Sequence, residues 1–72
     1  MRKIHMDGEI LEKMPKSIYI VRIKNGSISM DIEARIGIKD KVKFLRLLPG
    51  DKVIVEMSLQ DLAKGKIVGV KN

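Results

Sequence analysis

The fold is decided by the stretch LRLLPGDKVIVEM, residues 45–57. Its first apolar residues recur at the spacings of three and four that place side chains on one face of a helix. The Pro-Gly pair at 49–50 breaks that pattern, because proline lacks a backbone N–H and glycine permits a sharp corner. Beyond the pair, Val53, Val55 and Met57 alternate with the residues between them, which predicts a β-strand. The stretch therefore joins the end of a short helix to a strand, and both need a sheet on which to pack.

The composition is that of one small folded domain. The chain has 72 residues, of which 44% are hydrophobic, and we expect a single domain over residues 1–72. It has no cysteine, so disulfides and thiolate metal sites are excluded. No apolar run is long enough to span a bilayer, and no apolar signal core follows the basic N-terminus. We expect a monomer in a reducing, aqueous compartment, with no membrane contact.

Positive charge is the most informative part of the composition. Fifteen Lys and Arg against nine Asp and Glu leave a net charge of +6, and the pI is near 9.8. Between residues 35 and 46 there is one acid, Asp40, and there are five basic residues: Arg35, Lys39, Lys41, Lys43 and Arg46. Concentrated positive charge suits a polyanion such as nucleic acid, because each neutralised phosphate releases condensed counterions. A solvated face kept basic for solubility is the alternative.

Alternating and β-branched patterns predict five strands. They cover residues 4–13, 17–24, 27–33, 52–57 and 66–71. A turn over 14–17 and a hairpin at Asn25-Gly26 separate the first three, and Gly8 is expected to mark a bulge or a bend. In the third strand Ile28, Met30 and Ile32 form the expected buried face.

The remaining segments are predicted as loops and one helix. Residues 34–39 are expected to form a loop, and Asp40 to cap a helix over 41–48. Residues 58–65 are expected to form a second loop, with one helical turn over 59–63 as an option. Among the two aromatic residues, Phe44 is expected in the core, whereas Tyr19 suits either the core or a binding surface.

This order of elements predicts an all-β fold. Three strands, one short helix and two strands in so short a chain are typical of a five-stranded Greek-key barrel whose helix, between strands three and four, closes one end. That is the plan of the OB-fold, whose surface binds oligonucleotides or oligosaccharides. An SH3-like barrel is the alternative.

Several motifs occur in an order that points to a known family. They are LRLLPGDKV at 45–53, VEMS at 55–58 and DLAKGKI at 61–67, supported by GEILE at 8–12. On these motifs the chain resembles the bacterial-type translation initiation factor 1 family nearly end to end. The region 34–40 is longer than the family pattern, and the last strand lacks the family's usual aromatic residue and arginine.

The resemblance implies a non-catalytic RNA-binding protein. It implies binding to the aminoacyl-tRNA site of the small ribosomal subunit, together with other initiation factors, in the cytoplasm or in an organellar stroma or matrix. Carried over by position, the residues expected to contact ribosomal RNA are Lys39, Lys41, Lys43, Arg46, Lys64 and Lys66, the last two flanking Gly65 in the last hairpin. Arg35 is added to them as part of the basic stretch 35–46. An OB-fold module that binds nucleic acid in general, or another protein, is the alternative.

The residue inventory favours folded RNA over free single strands. Proteins that hold single strands stack bases on aromatic side chains, and two aromatic residues cannot build such a platform. Phosphate contacts to folded RNA need only basic groups on a rigid barrel. His5 is the single histidine and is expected at the surface. We predict no catalytic residue, no cofactor and no metal site.

Overall fold

Five β-strands close into a barrel. The structure is a computed structural model, and it describes residues 3–36 and 47–71. The strands are β1 (Lys3–Met14), β2 (Ile18–Asn25), β3 (Ile28–Ile36), β4 (Lys52–Ser58) and β5 (Asp61–Lys71). Their order is β1-β2-β3-β5-β4, with β4 paired to β1 and a parallel pair between β3 and β5. The predicted all-β, five-stranded barrel is confirmed, and its strand order follows the OB-fold plan.

The first strand closes the barrel because it is long enough to pair on two sides. Its first part pairs with β4 and its last part with β2, and Gly8 belongs to both ladders. A Cβ on Gly8 would lie 2.5 Å from Cγ1 of Val21, so only glycine lets the strands approach this closely. The register shift itself lies between Ile10 and Glu12 rather than at Gly8. The predicted bulge is therefore present, but it is displaced along β1.

The Pro-Gly corner is anchored to the middle of β1. Gly50, with a φ of 95°, donates its N–H to the carbonyl oxygen of Ile10 at 2.7 Å, and Ile10 donates to the carbonyl oxygen of Asp51 at 2.9 Å. The Asp51 carboxylate accepts from the Leu48 N–H at 2.8 Å, and the Asp51 N–H donates back to the Leu48 carbonyl oxygen at 3.0 Å. These bonds fix the direction in which β4 begins.

The predicted helix is not supported. Most of it, together with its expected cap Asp40 and the expected core residue Phe44, lies outside the described residues. Leu47 and Leu48, the last two residues of the prediction, are described and are not helical. Residues 3–36 and 47–71 contain no helix, and hence none that is long and apolar enough to cross a membrane.

The core is built from the inward positions of all five strands. Alternation along a strand sends successive side chains to opposite faces, so every second residue points into the barrel. Tyr19 is one of these, with 2% of its surface exposed, so it packs in the core and not on a binding surface. The buried residues are Ile10, Tyr19, Val21, Ile23, Ile32, Ala34, Ile36, Leu47, Val53, Val55, Met57 and Ile67.

The third strand corrects two expectations. It extends to Ile36, so residues 34–36, expected in a loop, are part of β3, and Ala34 and Ile36 are buried. The face was predicted correctly, but only Ile32 of the three expected residues is buried; Ile28 is 68% exposed and Met30 38%. Both lie beyond the part of β3 that pairs with β5, so only β2 neighbours them in the sheet.

The connection between β4 and β5 is shorter than expected. Residues 58–65 do not form a loop: Leu59 and Gln60 make a two-residue turn, and β5 begins at Asp61. Gly65, expected in a turn, lies inside β5 opposite Met57. A Cβ there would clash with the side chain of Val55, so this glycine is needed because β5 crosses the core closely.

Candidate nucleic-acid interface

Three of the predicted RNA-contacting cations lie together on the outside of the barrel. Arg35 on β3 is directly opposite Lys66 on β5, and Lys64 on the same strand is opposite Glu33. Paired strands lie about 4.8 Å apart, so these side chains leave the backbone side by side. All three cations are exposed, because the residues that alternate with them point inward. We call Arg35, Lys64 and Lys66 the outer basic patch.

The register places a carboxylate opposite each lysine of the patch, Glu33 opposite Lys64 and Glu56 opposite Lys66. Glu33 forms no ion pair within the described residues. Glu56 on β4 is opposite Lys66, but its Oε1 accepts from Lys3 at 3.3 Å and its Oε2 from the His5 ring at 3.2 Å. The hydrogen bond from Lys3, followed by that from His5, lowers the pKa of Glu56. Since both oxygens are used on the β1 side, the Glu56 carboxylate does not neutralise the patch.

The outer basic patch therefore holds three cations beside one carboxylate, Glu33, that is not engaged elsewhere among the described residues. None of its members forms an ion pair with a carboxylate of residues 3–36 or 47–71. Arg35 and Lys66 repel each other, since like charges directly opposite in a sheet are unfavourable. An anion such as a phosphate oxygen would relieve that repulsion, and Arg and Lys are the side chains that usually bind one.

The location of these cations differs in detail from the prediction. Arg35 is on a strand and not in a loop, and Lys64 and Lys66 lie within β5 and not beside a hairpin turn. The structure brings these three together. The other four predicted contacts, Lys39, Lys41, Lys43 and Arg46, lie outside the described residues.

A second set of charged residues was not predicted from the sequence. One outward residue from each strand falls in a single cross-strand row: Asp31, Arg22, Glu9, Lys52 and Lys71. We call it the charged row. Alternation within each strand signals that these side chains are outward, but only the register shows that they are neighbours.

Ion pairs connect the members of the charged row. Arg22 binds Asp31 at 2.9 Å, and Lys52 binds Glu9 at 2.7 Å. The hydrogen bond and charge of Asp31 raise the pKa of the Arg22 guanidinium. The hydrogen bond and charge of Lys52 lower the pKa of Glu9. The row ends in two lysines that are directly opposite, Lys52 and Lys71.

His5 lies at the surface, as expected, and is engaged with Glu56. Among the described residues no three His, Asp or Glu side chains lie close enough together to hold a metal ion.

A solved structure is similar to this chain along almost its whole length. No family model matches the sequence. The solution structure of translation initiation factor 1 from the Wolbachia endosymbiont strain TRS of Brugia malayi superposes with a TM-score of 0.69 at 25% sequence identity. The match covers 97% of this chain and 79% of that chain. The barrel described here thus has the fold of a translation initiation factor.

Proposed function

We propose that this protein is a translation initiation factor that binds the aminoacyl-tRNA site of the small ribosomal subunit through basic contacts to ribosomal RNA. The observation that carries the proposal is the likeness to a translation initiation factor over 97% of the chain. The motifs at 45–53 and 61–67 support it from the sequence. They include the anchored corner before β4 and the first part of β5.

The outer basic patch supplies the chemistry that such a contact needs. At Arg35 and at Lys66 the backbone is paired to a strand on both sides, so the two cations start from a rigid surface. Phosphate contacts made by such groups position a protein on folded RNA without reading its sequence. Binding of this kind releases counterions and weakens as salt is added.

We also propose that the segment between β3 and β4 extends this surface. It follows directly on β3, two positions after Arg35. The cations assigned to it are Lys39, Lys41, Lys43 and Arg46.

The proposed activity is occupancy of a site and not catalysis. Residues 1–72 act as one RNA-binding domain and as a monomer, alongside other initiation factors, in the cytoplasm or in an organellar stroma or matrix. No cofactor and no catalytic residue take part. The solved structure that supports the assignment is that of a translation initiation factor.

The test is a salt-dependent titration of labelled protein against purified small ribosomal subunits, with an RNA hairpin as competitor. Wild type is compared with Arg35→Gln/Lys66→Gln and with the control Lys13→Gln/Lys16→Gln, which removes the same charge from exposed positions near the β1–β2 turn. We expect the patch variant to bind about tenfold or more weakly, and the dependence of log K on log salt to lose about one unit per cation removed. The control should stay close to wild type.

Three outcomes would overturn the proposal or the surface assigned to it. If the hairpin binds the labelled protein as tightly as the subunits do, the protein binds nucleic acid in general. If the wild type binds neither RNA, the barrel serves another partner, such as a protein. If the patch variant binds as the control does, the contact surface has been assigned to the wrong residues.

A further inference from the structure

The charged row contains an unfavourable contact that its ion pairs do not remove. Lys52 on β4 and Lys71 on β5 are directly opposite, and like charges at opposed positions destabilise a sheet. Each lysine is held by a different carboxylate: Lys52 by Glu9, and Lys71 by Asp7 at 2.7 Å. Asp7 lies on β1, so the Lys71 side chain reaches across β4 to find it. Both carboxylates lie on β1, two positions apart, so both ammonium groups are drawn towards the same strand.

These side chains border a groove on the outside of the barrel. It has a volume of about 560 Å³ and runs over β1, between β2 and the end of β5. Its charged lining consists of Arg22, Lys24, Lys52 and Lys71 with Asp7 and Glu9, and Asp31, which is paired with Arg22, adds a third negative charge beside it. A concave surface with a surplus of one charge concentrates counterions of the other sign. We call it the β1 groove.

The carboxylates of the β1 groove are replaceable partners. The side chains of Lys52 and Lys71 are 60% and 58% exposed, and exposed ion pairs contribute little net stability. Lys24 forms no ion pair with a carboxylate of the described residues. A phosphate would bind Lys24, whose charge acts on Glu9 without an ion pair, and would compete with Glu9 and Asp7 for Lys52 and Lys71.

We propose that the β1 groove binds the phosphodiester backbone of an RNA strand, at a second site distinct from the outer basic patch. The two sites are separated along β5 by the five residue steps from Lys66 to Lys71, about 17 Å of strand. We expect the groove to read charge and not sequence, because its cations would meet phosphates and not base edges. The proposal goes beyond the ribosomal role, since it needs only a flexible phosphodiester strand. The chain lacks the aromatic residues that stack the bases of single strands, so we expect the groove to hold the backbone alone, through its cations.

The first test is a titration of a labelled oligouridylate at several salt concentrations. Lys24→Gln/Lys71→Gln removes two cations from the groove, and Lys13→Gln/Lys16→Gln removes two from elsewhere. We expect the groove variant to bind about five- to tenfold more weakly, with the slope of log K against log salt reduced by about 1.4, which is 0.7 per cation on a single strand. Equal losses in the two variants would overturn the proposal. Thermal melts of both variants report whether the fold is kept.

The second test reverses the sign of the effect. Glu9→Gln removes the carboxylate that holds Lys52 and competes with phosphate, so we expect the oligouridylate to bind about threefold more tightly or better. Glu12→Gln is the matched control, because Glu12 is exposed on the same strand and does not line the groove. If Glu9→Gln binds no more tightly than Glu12→Gln, the groove is only a surface of ion pairs. Subunit binding by Arg35 and Lys66 is measured separately, so this failure would leave the ribosomal proposal standing.

Discussion

Arg35 and Lys66 lie directly opposite each other in the parallel pair of β3 and β5, and no carboxylate of the described residues forms an ion pair with either of them. This repulsion predicts opposite effects on stability and on binding. We expect Arg35→Glu to raise the melting temperature by about 1–3 °C at low salt, because it places an opposite charge beside Lys66. We expect the same variant to lose most of its binding to ribosomal subunits. Melting curves and the titration described above measure the two effects.

The control for this prediction is Arg35→Gln, which removes the repulsion without adding an attraction. Its melting temperature should fall between those of wild type and Arg35→Glu. A Glu variant that melts below the Gln variant would show that the Arg35–Lys66 contact does not limit stability.

Gly65 is predicted to be essential for packing. A methyl group there would clash with Val55, whose side chain is fully buried and cannot move aside freely. We expect Gly65→Ala to lower the free energy of unfolding by about 1–3 kcal/mol, the usual cost of overpacking a core. Gly69→Ala is the control, since its nearest neighbour, Cδ1 of Ile54, would be at 3.5 Å. Urea unfolding of both variants tests this, and equal losses would contradict it.

Gly50 is predicted to matter for its backbone and not for space. Its φ of 95° is disfavoured for side-chain-bearing residues, although a Cβ added there would meet no atom within 4 Å beyond its own chain neighbours. We expect Gly50→Ala to lower the free energy of unfolding by about 1–2 kcal/mol. The reverse change at Lys16, where φ is 65°, relieves the same strain. Lys16→Gly should therefore unfold no more easily than wild type, and a loss as large as that of Gly50→Ala would refute the argument.

Glu56 gives the stability a dependence on pH. Its folded pKa is lowered from the ordinary value of 4.5 by hydrogen bonds from Lys3 and His5. A depressed carboxyl pKa stabilises the fold above the unfolded value, and that stability is lost as the pH falls from about 5 through the folded pKa. We expect Glu56→Gln to show a shallower fall in melting temperature than wild type over this range.

Glu12→Gln is the comparison for the pH experiment. Melting temperatures of the two variants and of wild type are measured between about pH 3 and 7 at low salt, because exposed pairs are screened as salt rises. Parallel curves for Glu56→Gln and Glu12→Gln would contradict the role assigned to Glu56.

Local patterns were sufficient for much of the fold. The alternation of Val53, Val55 and Met57 identified the buried face of β4, because a period of two is a property of the strand itself. The corner at Pro49 and Gly50 was predictable because proline restricts the backbone and glycine frees it, and both effects are local. Chain order then limited the possible barrels.

What could not be predicted depends on the pairing between strands. Gly65 was expected in a turn because glycine serves both in turns and where strands approach closely, and only the position of Val55 distinguishes the two. The approach of Arg35 to Lys66 is likewise a matter of register, as is the charged row that includes Glu9 and Lys52. Spacing along the chain does not contain that information.

The double pairing of β1 has a consequence for how the protein folds. Its contacts with β4 join residues far apart in the chain; His5 and Glu56 are separated by 51 positions. Such non-local pairing slows folding, because chain entropy is lost before the contact is gained. During synthesis β1, β2 and β3 can form a meander early, but the free side of β1 has no partner until β4 emerges from the ribosome. Barrel closure should therefore be a late event, and until then the nascent chain exposes an unpaired strand edge.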